Sequence, residues 1–432
     1  MRVLAKDIKA AAQTGEKTVQ AAGWVHRIRE LGGVNFVILR DRSGSVQLVL
    51  NEKRALTLES VIKVEGEPAL NEKAPGGAEI RVSKLECLSL AAADLPYQVN
   101  GDVSKIGLEA VLDNRTLSLR NPKIRAIFEV QAAIIEAFSA YLRSNGFTEI
   151  KSSKLVGSGT EGGTELFSVD YFDKKVYLAQ SPQFYKEVMV ASGLERVFEV
   201  APAYRAEKHD TPRHLNEYVS MDVEMGFIES ERDLIEIEKG LLAFIFDELN
   251  RKHAKEIAMW SDVPAPSAES VSNAPVIPYD EALKIANDEA VKNKKARIFD
   301  INPEAEALLC AWSEREKGSA LVFVNEFPRR YRPFYTYPLD ASRTMSFDAL
   351  FRGLEITTGG RRQHVYQDFL DVLPKFGLKP EYFSNYITLL KYGCPPHGGF
   401  ALGCERLTAK ILGLSNVKEA SLFPRDRKRV VP

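Results

Sequence analysis

The chain has 432 residues, and its 58 Lys and Arg against 59 Asp and Glu leave a formal net charge of −1. Bulk charge therefore neither drives nor excludes contact with a polyanion, and such contact must come from local basic surface. Hydrophobic residues at 45% and charged residues at 27% are the balance of an ordinary globular protein, which excludes global disorder, and the length suits about two to three domains. No stretch approaches the roughly 20 apolar residues that span a bilayer, and the opening run MRVLAKDIKAAAQTGEK has no apolar core of the leader-peptide kind. Cys87, Cys310, Cys394 and Cys404 form no CxxC pair, so neither a zinc site nor a disulfide framework is implied, and a reducing cytoplasm is the expected location.

Residues 17–50 alternate apolar and polar positions in short runs broken by Gly32 and Gly33 and by the turn Asp41–Gly44, the pattern of a β-meander. Further β-like runs cover 60–67 and 78–90, with APGG at 74–77 as the turn between them. About five strands in about 90 residues suit a small closed barrel of the OB-fold type, so residues 1–100 are expected to form one domain. Residues 101–125 are polar and lack periodicity, which predicts a linker. The texture changes at about 126, and the run IRAIFEVQAAIIEAFSAYLRSNGF, 124–147, reads as a long amphipathic helix stopped at Asn145 and Gly146. A second domain, 126–432, follows. Its helical and strand-like segments mix without βαβ spacing, so the expected class is α+β, with an antiparallel sheet flanked by helices. The Pro- and Ser-rich stretch 261–275 predicts a surface loop, within a mostly helical insertion over about 254–318.

Three segments carry the chemistry. In FEVAPAYRAEKHDTPRHLNEYVSMDVEMGF, residues 198–227, Arg205 and Glu207 stand two apart, the strand spacing that turns both side chains one way. The guanidinium offers a fork to phosphate and the carboxylate accepts from an exocyclic amine. In GGFALGCERLTAKILGL, 398–414, a Gly-rich strand runs into a helix with Arg406 near the junction, a good place to meet phosphate or stack on a base. In SFDALFRGLEITTGGRRQH, 346–364, Asp348, Glu355 and Thr358 offer oxygen ligands to a hard cation such as Mg²⁺.

The phrase YRAEKHDTPRHLNEYVSMDVEM closely resembles motif 2 of the class II aminoacyl-tRNA synthetases, in their aspartate branch and archaeal type. Residues 398–414 resemble motif 3, and the tail LFPRDRKRVVP resembles the end of the same family. The resemblance runs from about Thr18 to Pro432, apart from about 254–318. It implies that ATP is held by Arg205, Glu207, His214, Leu215, Tyr218, Glu355 and Arg406, with Arg205, Arg406 and Glu355 catalytic. It also implies Mg²⁺ on Glu355 and Thr358, with Asp348 a further candidate. Two departures stand out: Ser153 replaces a motif 1 proline at the expected homodimer interface, and Arg361 replaces a glutamine before Arg362.

Aspartate carries a side-chain carboxylate, so a selective pocket needs buried cations. By resemblance, Lys186 in LAQSPQFYKEV and Arg362 in TTGGRR hold that carboxylate. Glu161 in GTEGGTELF, Gln183, Asp222 and Thr358 complete the aspartate site, most of them as acceptors for the α-ammonium. The implied reaction needs no protein nucleophile: the α-carboxylate attacks the α-phosphorus of ATP, and the aspartyl group then passes to the 3′ end of tRNA-Asp. In the barrel, Phe36, Arg29 and Gln47 resemble the family's anticodon-binding face, where bases stack on the ring. Discriminating enzymes of this type tend to carry Trp where His26 stands and Lys near Pro75, so charging of tRNA-Asn as well is expected. The rival readings are the asparagine branch, which by resemblance lacks the Lys186 and Arg362 pair, and a silent tRNA-binding paralogue, which should have lost Arg205, Glu355 or Arg406.

Overall fold

The computed structural model describes residues 2–431 except 32, 33, 53, 158, 160–165 and 209. It divides into two units, Met1–Lys105 and Ile106–Pro432.

In the first unit, strands β1 (Val19–Leu31), β2 (Val34–Asp41), β3 (Gly44–Leu50), β4 (Val61–Leu70) and β5 (Ala78–Ser89) close a barrel in the order β1-β2-β3-β5-β4. Alternation drives closure: Val37 and Leu39 of β2 and Val46, Leu48 and Leu50 of β3 fill one interior, while the residues between them point outward. The antiparallel register sets Arg29 opposite Phe36 and Gln47 opposite Ile38. All three anticodon candidates thus share the outer face.

The second unit holds an eight-stranded sheet. Its strands are β6 (Thr148–Glu149), β10 (Arg196–Tyr204), β11 (Glu217–Gly226), β12 (Val276–Pro278), β13 (Leu321–Asn325), β14 (Ser346–Phe351), β15 (Leu354–Arg361) and β16 (His397–Gly403), in the order β12-β13-β14-β15-β16-β11-β10-β6. A separate three-stranded sheet is formed by β7 (Leu155–Val156), β8 (Ser168–Tyr171) and β9 (Lys174–Leu178). All pairings in the large sheet are antiparallel except β6 with β10 and β12 with β13, in keeping with the expected α+β class.

The first long helix, Pro122–Ser144, begins two residues before the apolar run that opens at Ile124. Asn121 caps it by accepting from the Lys123 N–H at 2.9 Å, and Pro122 fits the first turn. Its stripe Ile127, Val130, Ile134, Phe138 and Leu142 packs with the helix Glu231–Lys252 into the main core. The polar segment before it forms two short helices, Leu108–Asp113 and Arg115–Ser118. Arg115 is buried there and donates to the carbonyls of Leu422 (2.7 Å) and Ser421 (2.5 Å). In the 254–318 segment, Val276–Pro278 adds an edge strand and the helices Tyr279–Lys292 and Pro303–Lys317 carry their own core. No described helix is long and apolar enough to cross a membrane.

One buried carboxyl makes a test of the core. Glu238, on the helix Glu231–Lys252, is fully buried, and neither carboxyl oxygen has an aligned hydrogen-bond partner. Burial pushes its pKa up to about 8, against a small opposing effect of the Thr357 hydroxyl. The folded chain therefore keeps a proton that the unfolded chain releases, and stability falls as pH rises between the ordinary glutamate value and about 8. Glu238→Gln removes that loss. Thermal melts should show the variant gaining about 2–6 °C at about pH 8.5 and less at about pH 5.

Candidate active site

A cavity of about 360 Å³ opens over β11, β16 and β15. Cross-strand pairing aligns its floor. Asp222 and Thr358 both sit opposite Ala401, and one step along the strands Glu224 and Gly360 sit opposite Gly399. The helix Gln183–Met189 adds Gln183 and Lys186 from the side, and Arg362 follows β15 directly. Lys186 and Arg362 are both buried and both line this cavity.

The two cations meet at one carboxylate. Lys186 Nζ lies 3.2 Å from Glu224 Oε2, and Arg362 Nε donates to Glu224 Oε1 at 3.1 Å. Lys186 Nζ also donates to Asp222 Oδ1 at 3.1 Å, whose other oxygen accepts from the Ser220 hydroxyl at 2.5 Å. Gly399 makes this approach possible, because a Cβ there would stand 2.2 Å from Glu224 Oε2. The four charges cancel, so the cluster is neutral as it stands.

At the other end of the cavity, β10 stops at Tyr204, so Arg205 and Glu207 lie in the loop beyond it and not on a strand. They still face each other, Nη1 to Oε1 at 3.9 Å, because Asn216 Nδ2 donates to both of their carbonyls, at 2.6 and 3.0 Å. His214 Nε2 is 3.8 Å from Glu207 Oε2, and the Arg205 guanidinium lies over the Tyr218 ring at 5.8 Å. Arg406, in the first turn of the helix Cys404–Leu412, donates to Glu355 Oε1 at 3.1 Å, and the Thr358 hydroxyl donates to the same oxygen at 3.3 Å. Arg205, Glu207, His214, Leu215, Tyr218, Glu355, Thr358 and Arg406 line the same cavity as Gln183, Lys186, Asp222 and Arg362.

Asp348 stands apart. It is opposite Thr358 in the β14–β15 ladder but does not line the cavity, being shut in by Arg332 at 2.8 Å. Burial raises its pKa to about 7, with Arg332 opposing and Glu355 adding to the rise. Among the described residues no group of three or more His, Cys, Asp or Glu is arranged to hold a metal. Glu161 lies outside the described residues.

Three buried acids in this region escape sequence reasoning. Glu224 is two residues after Asp222 in β11, and that same-face spacing was the available signal. Glu187, behind Gln183, carried none. Glu306, in the first turn of the helix Pro303–Lys317, accepts from the Glu355 N–H at 2.9 Å and from Arg213 at 2.5 Å. It looks in sequence like any acid at a helix start.

In the barrel unit, Arg29 is exposed and Phe36 half-buried, while the Gln47 amide already donates to Glu79 at 2.9 Å. His26 Nδ1 accepts from Arg40 at 2.8 Å, and Arg40 is clamped by both oxygens of Glu59. Pro75 is exposed in the turn before β5.

Comparison with known proteins bears on both units. The sequence model for tRNA synthetases class II (D, K and N) matches residues 107–427, and that for an OB-fold nucleic acid binding domain matches 19–88. The chain is 45% identical over 436 residues to the aspartate–tRNA(Asp/Asn) ligase of Thermus thermophilus, with 100% of both covered. It is 40% identical over 428 residues to the aspartate–tRNA(Asp) ligase of Pyrococcus horikoshii, with 96% of each covered. A crystal structure of asparaginyl-tRNA synthetase from Pyrococcus horikoshii complexed with asparaginyl-adenylate superposes with a TM-score of 0.90 at 32% identity, covering 100% of both chains.

Proposed function

Since this chain belongs to the class II tRNA synthetases of the D, K and N group, we propose that it activates L-aspartate with ATP and transfers it to tRNA. One observation carries the choice of aspartate: Lys186 and Arg362 line a single cavity and share Glu224. With Asp222 included, that cluster is neutral, so a ligand whose ammonium enters it must bring an anion too. Aspartate does so through its side chain. Asparagine would leave an uncompensated buried charge, which costs several kcal/mol.

The remaining residues divide the work. Asp222 and Gln183 accept from the α-ammonium, and Lys186 and Arg362 take the side-chain carboxylate. Arg205 bridges the α-carboxylate and the α-phosphate, holding them in line and stabilising the charge that builds as the carboxylate oxygen bonds to phosphorus and pyrophosphate leaves. Tyr218 and Arg406 sandwich adenine, Glu207 accepts from its amino group, and His214 reaches the distal phosphates. Glu355 and Thr358, oxygen-bearing side chains that both line the cavity, would hold Mg²⁺, which would supply neutralisation of phosphate charge there. In the second step the terminal 3′-hydroxyl of tRNA takes the aspartyl group and AMP leaves.

The reading extends to tRNA-Asn. His26 and Pro75 are smaller than the Trp and Lys of discriminating enzymes, which leaves room at the third anticodon base, and the relative named for both tRNAs is 45% identical. Phe36 and Arg29 would stack and pair with the anticodon. Charging tRNA-Asp and tRNA-Asn side by side with aspartate tests this: rates within about tenfold of each other are expected, and His26→Trp should depress tRNA-Asn selectively. Charging of tRNA-Asp alone would overturn the extension to tRNA-Asn. The cytoplasm, where tRNA is charged, is the proposed location. A homodimer through the segment around exposed Ser153 is the proposed assembly, measurable by sedimentation.

A further inference from the structure

Glu187 lies behind the aspartate pocket, one residue from Lys186, and is fully buried. Its carboxylate collects three donors. Oε1 accepts from Gln183 Nε2 at 2.7 Å, and Oε2 accepts from His397 Nε2 at 2.9 Å and from the Tyr386 hydroxyl. His397 is fully buried as well, and its Nδ1 faces the Pro395 carbonyl at 2.9 Å. Cys394 Sγ lies 3.4 Å from the same Nδ1, farther than the carbonyl. The nearer partners of the two ring nitrogens, a carbonyl oxygen and a carboxylate, can only accept, which favours hydrogen on both nitrogens and an imidazolium ring. Burial opposes that charge, but the hydrogen bonds to Cys394 and Glu187 outweigh it and raise the pKa to about 10.

The consequence falls on Gln183. Its amide has a donor end and an acceptor end of nearly the same shape, and partners alone decide which way it turns. Glu187 takes the NH₂ end. The carbonyl oxygen is thereby turned to Arg362 Nη2, at 3.4 Å, on the side where Gln183 lines the cavity. Neither Glu187 nor His397 lines the cavity, so their influence on a ligand passes through Gln183.

We infer that Glu187, locked by His397 and Tyr386, is a positioning residue for amino-acid recognition: it fixes the Gln183 amide so that an acceptor faces Arg362 and the substrate's ammonium. This rests on the proposal that the ligand is aspartate. In Glu187→Gln, the amide oxygen stays with His397 and Tyr386, and the new NH₂ replaces Oε1 in front of Gln183. The Gln183 amide must flip and present a donor to the pocket.

The test is aspartate-dependent ATP–pyrophosphate exchange by the full-length protein. Glu187→Gln should raise the KM for aspartate about 10- to 30-fold, with kcat and the KM for ATP within about threefold. Adding Gln183→Glu restores an acceptor facing both the introduced amide and the pocket, and should return the KM for aspartate to within about fivefold of the parent. An unchanged KM for aspartate in the single variant overturns the inference. So does a common loss of kcat and both KM values with no recovery in the double variant, which is the signature of a structural role. A parent protein inactive with aspartate would instead sink the functional proposal, and this inference with it.

Discussion

Lys186→Met should lower kcat/KM for aspartate in pyrophosphate exchange by about 10²- to 10³-fold, with the KM for ATP within about threefold. The magnitude follows from breaking a buried ion pair, about 3–5 kcal/mol, at about 1.4 kcal/mol per tenfold. The direction of the specificity change is a sharper test. Without Lys186, Asp222 and Glu224 outnumber Arg362, and the pocket carries a net negative charge. A ligand bringing only an ammonium then restores neutrality, so the preference for aspartate over asparagine should collapse further than the overall rate. Thermal melts of the variant separate this from loss of fold. Aspartate activity within about threefold of the parent would leave Lys186 no part in recognition.

Arg205→Lys should lower the rate of adenylate formation by about 10²- to 10³-fold while the KM for aspartate changes little. Lysine keeps the charge but loses the planar fork that spans carboxylate and α-phosphate together. The bridging contact strengthens as charge builds in the transition state, so its loss falls on kcat. The arginine is also built in: Asn216 ties its backbone to that of Glu207, and Tyr218 lies beneath its guanidinium. Single-turnover measurement of aspartyl-adenylate reads the chemical step. A loss confined to KM would assign Arg205 to binding alone.

The site was legible where the chain spells it out in one run. Residues 198–227 and 398–414 contain Arg205, Glu207, His214, Tyr218, Asp222 and Arg406, and the sheet register brings these two runs edge to edge. Lys186 and Arg362 were legible by resemblance, but their shared partner was not: the spacing from Asp222 puts Glu224 on the same face of its strand, yet gives no sign that Gly399 has cleared space for it. Glu306 was hidden because it reaches Glu355 and Arg213 from the segment the resemblance did not cover. In the fold, alternation gave the barrel and the 3.6-residue period gave the long helix. The edge strand Val276–Pro278 has three residues, too few for a period to show, and Arg115 is buried by carbonyls near the far end of the chain, which local sequence does not encode.

Charge balance around Glu224 is the centre of the account, and it makes one demand of the unmodified protein. In ATP–pyrophosphate exchange with aspartate and asparagine in parallel, kcat/KM for aspartate should exceed that for asparagine by at least about 10²-fold. Equal rates, or exchange driven better by asparagine, would contradict it.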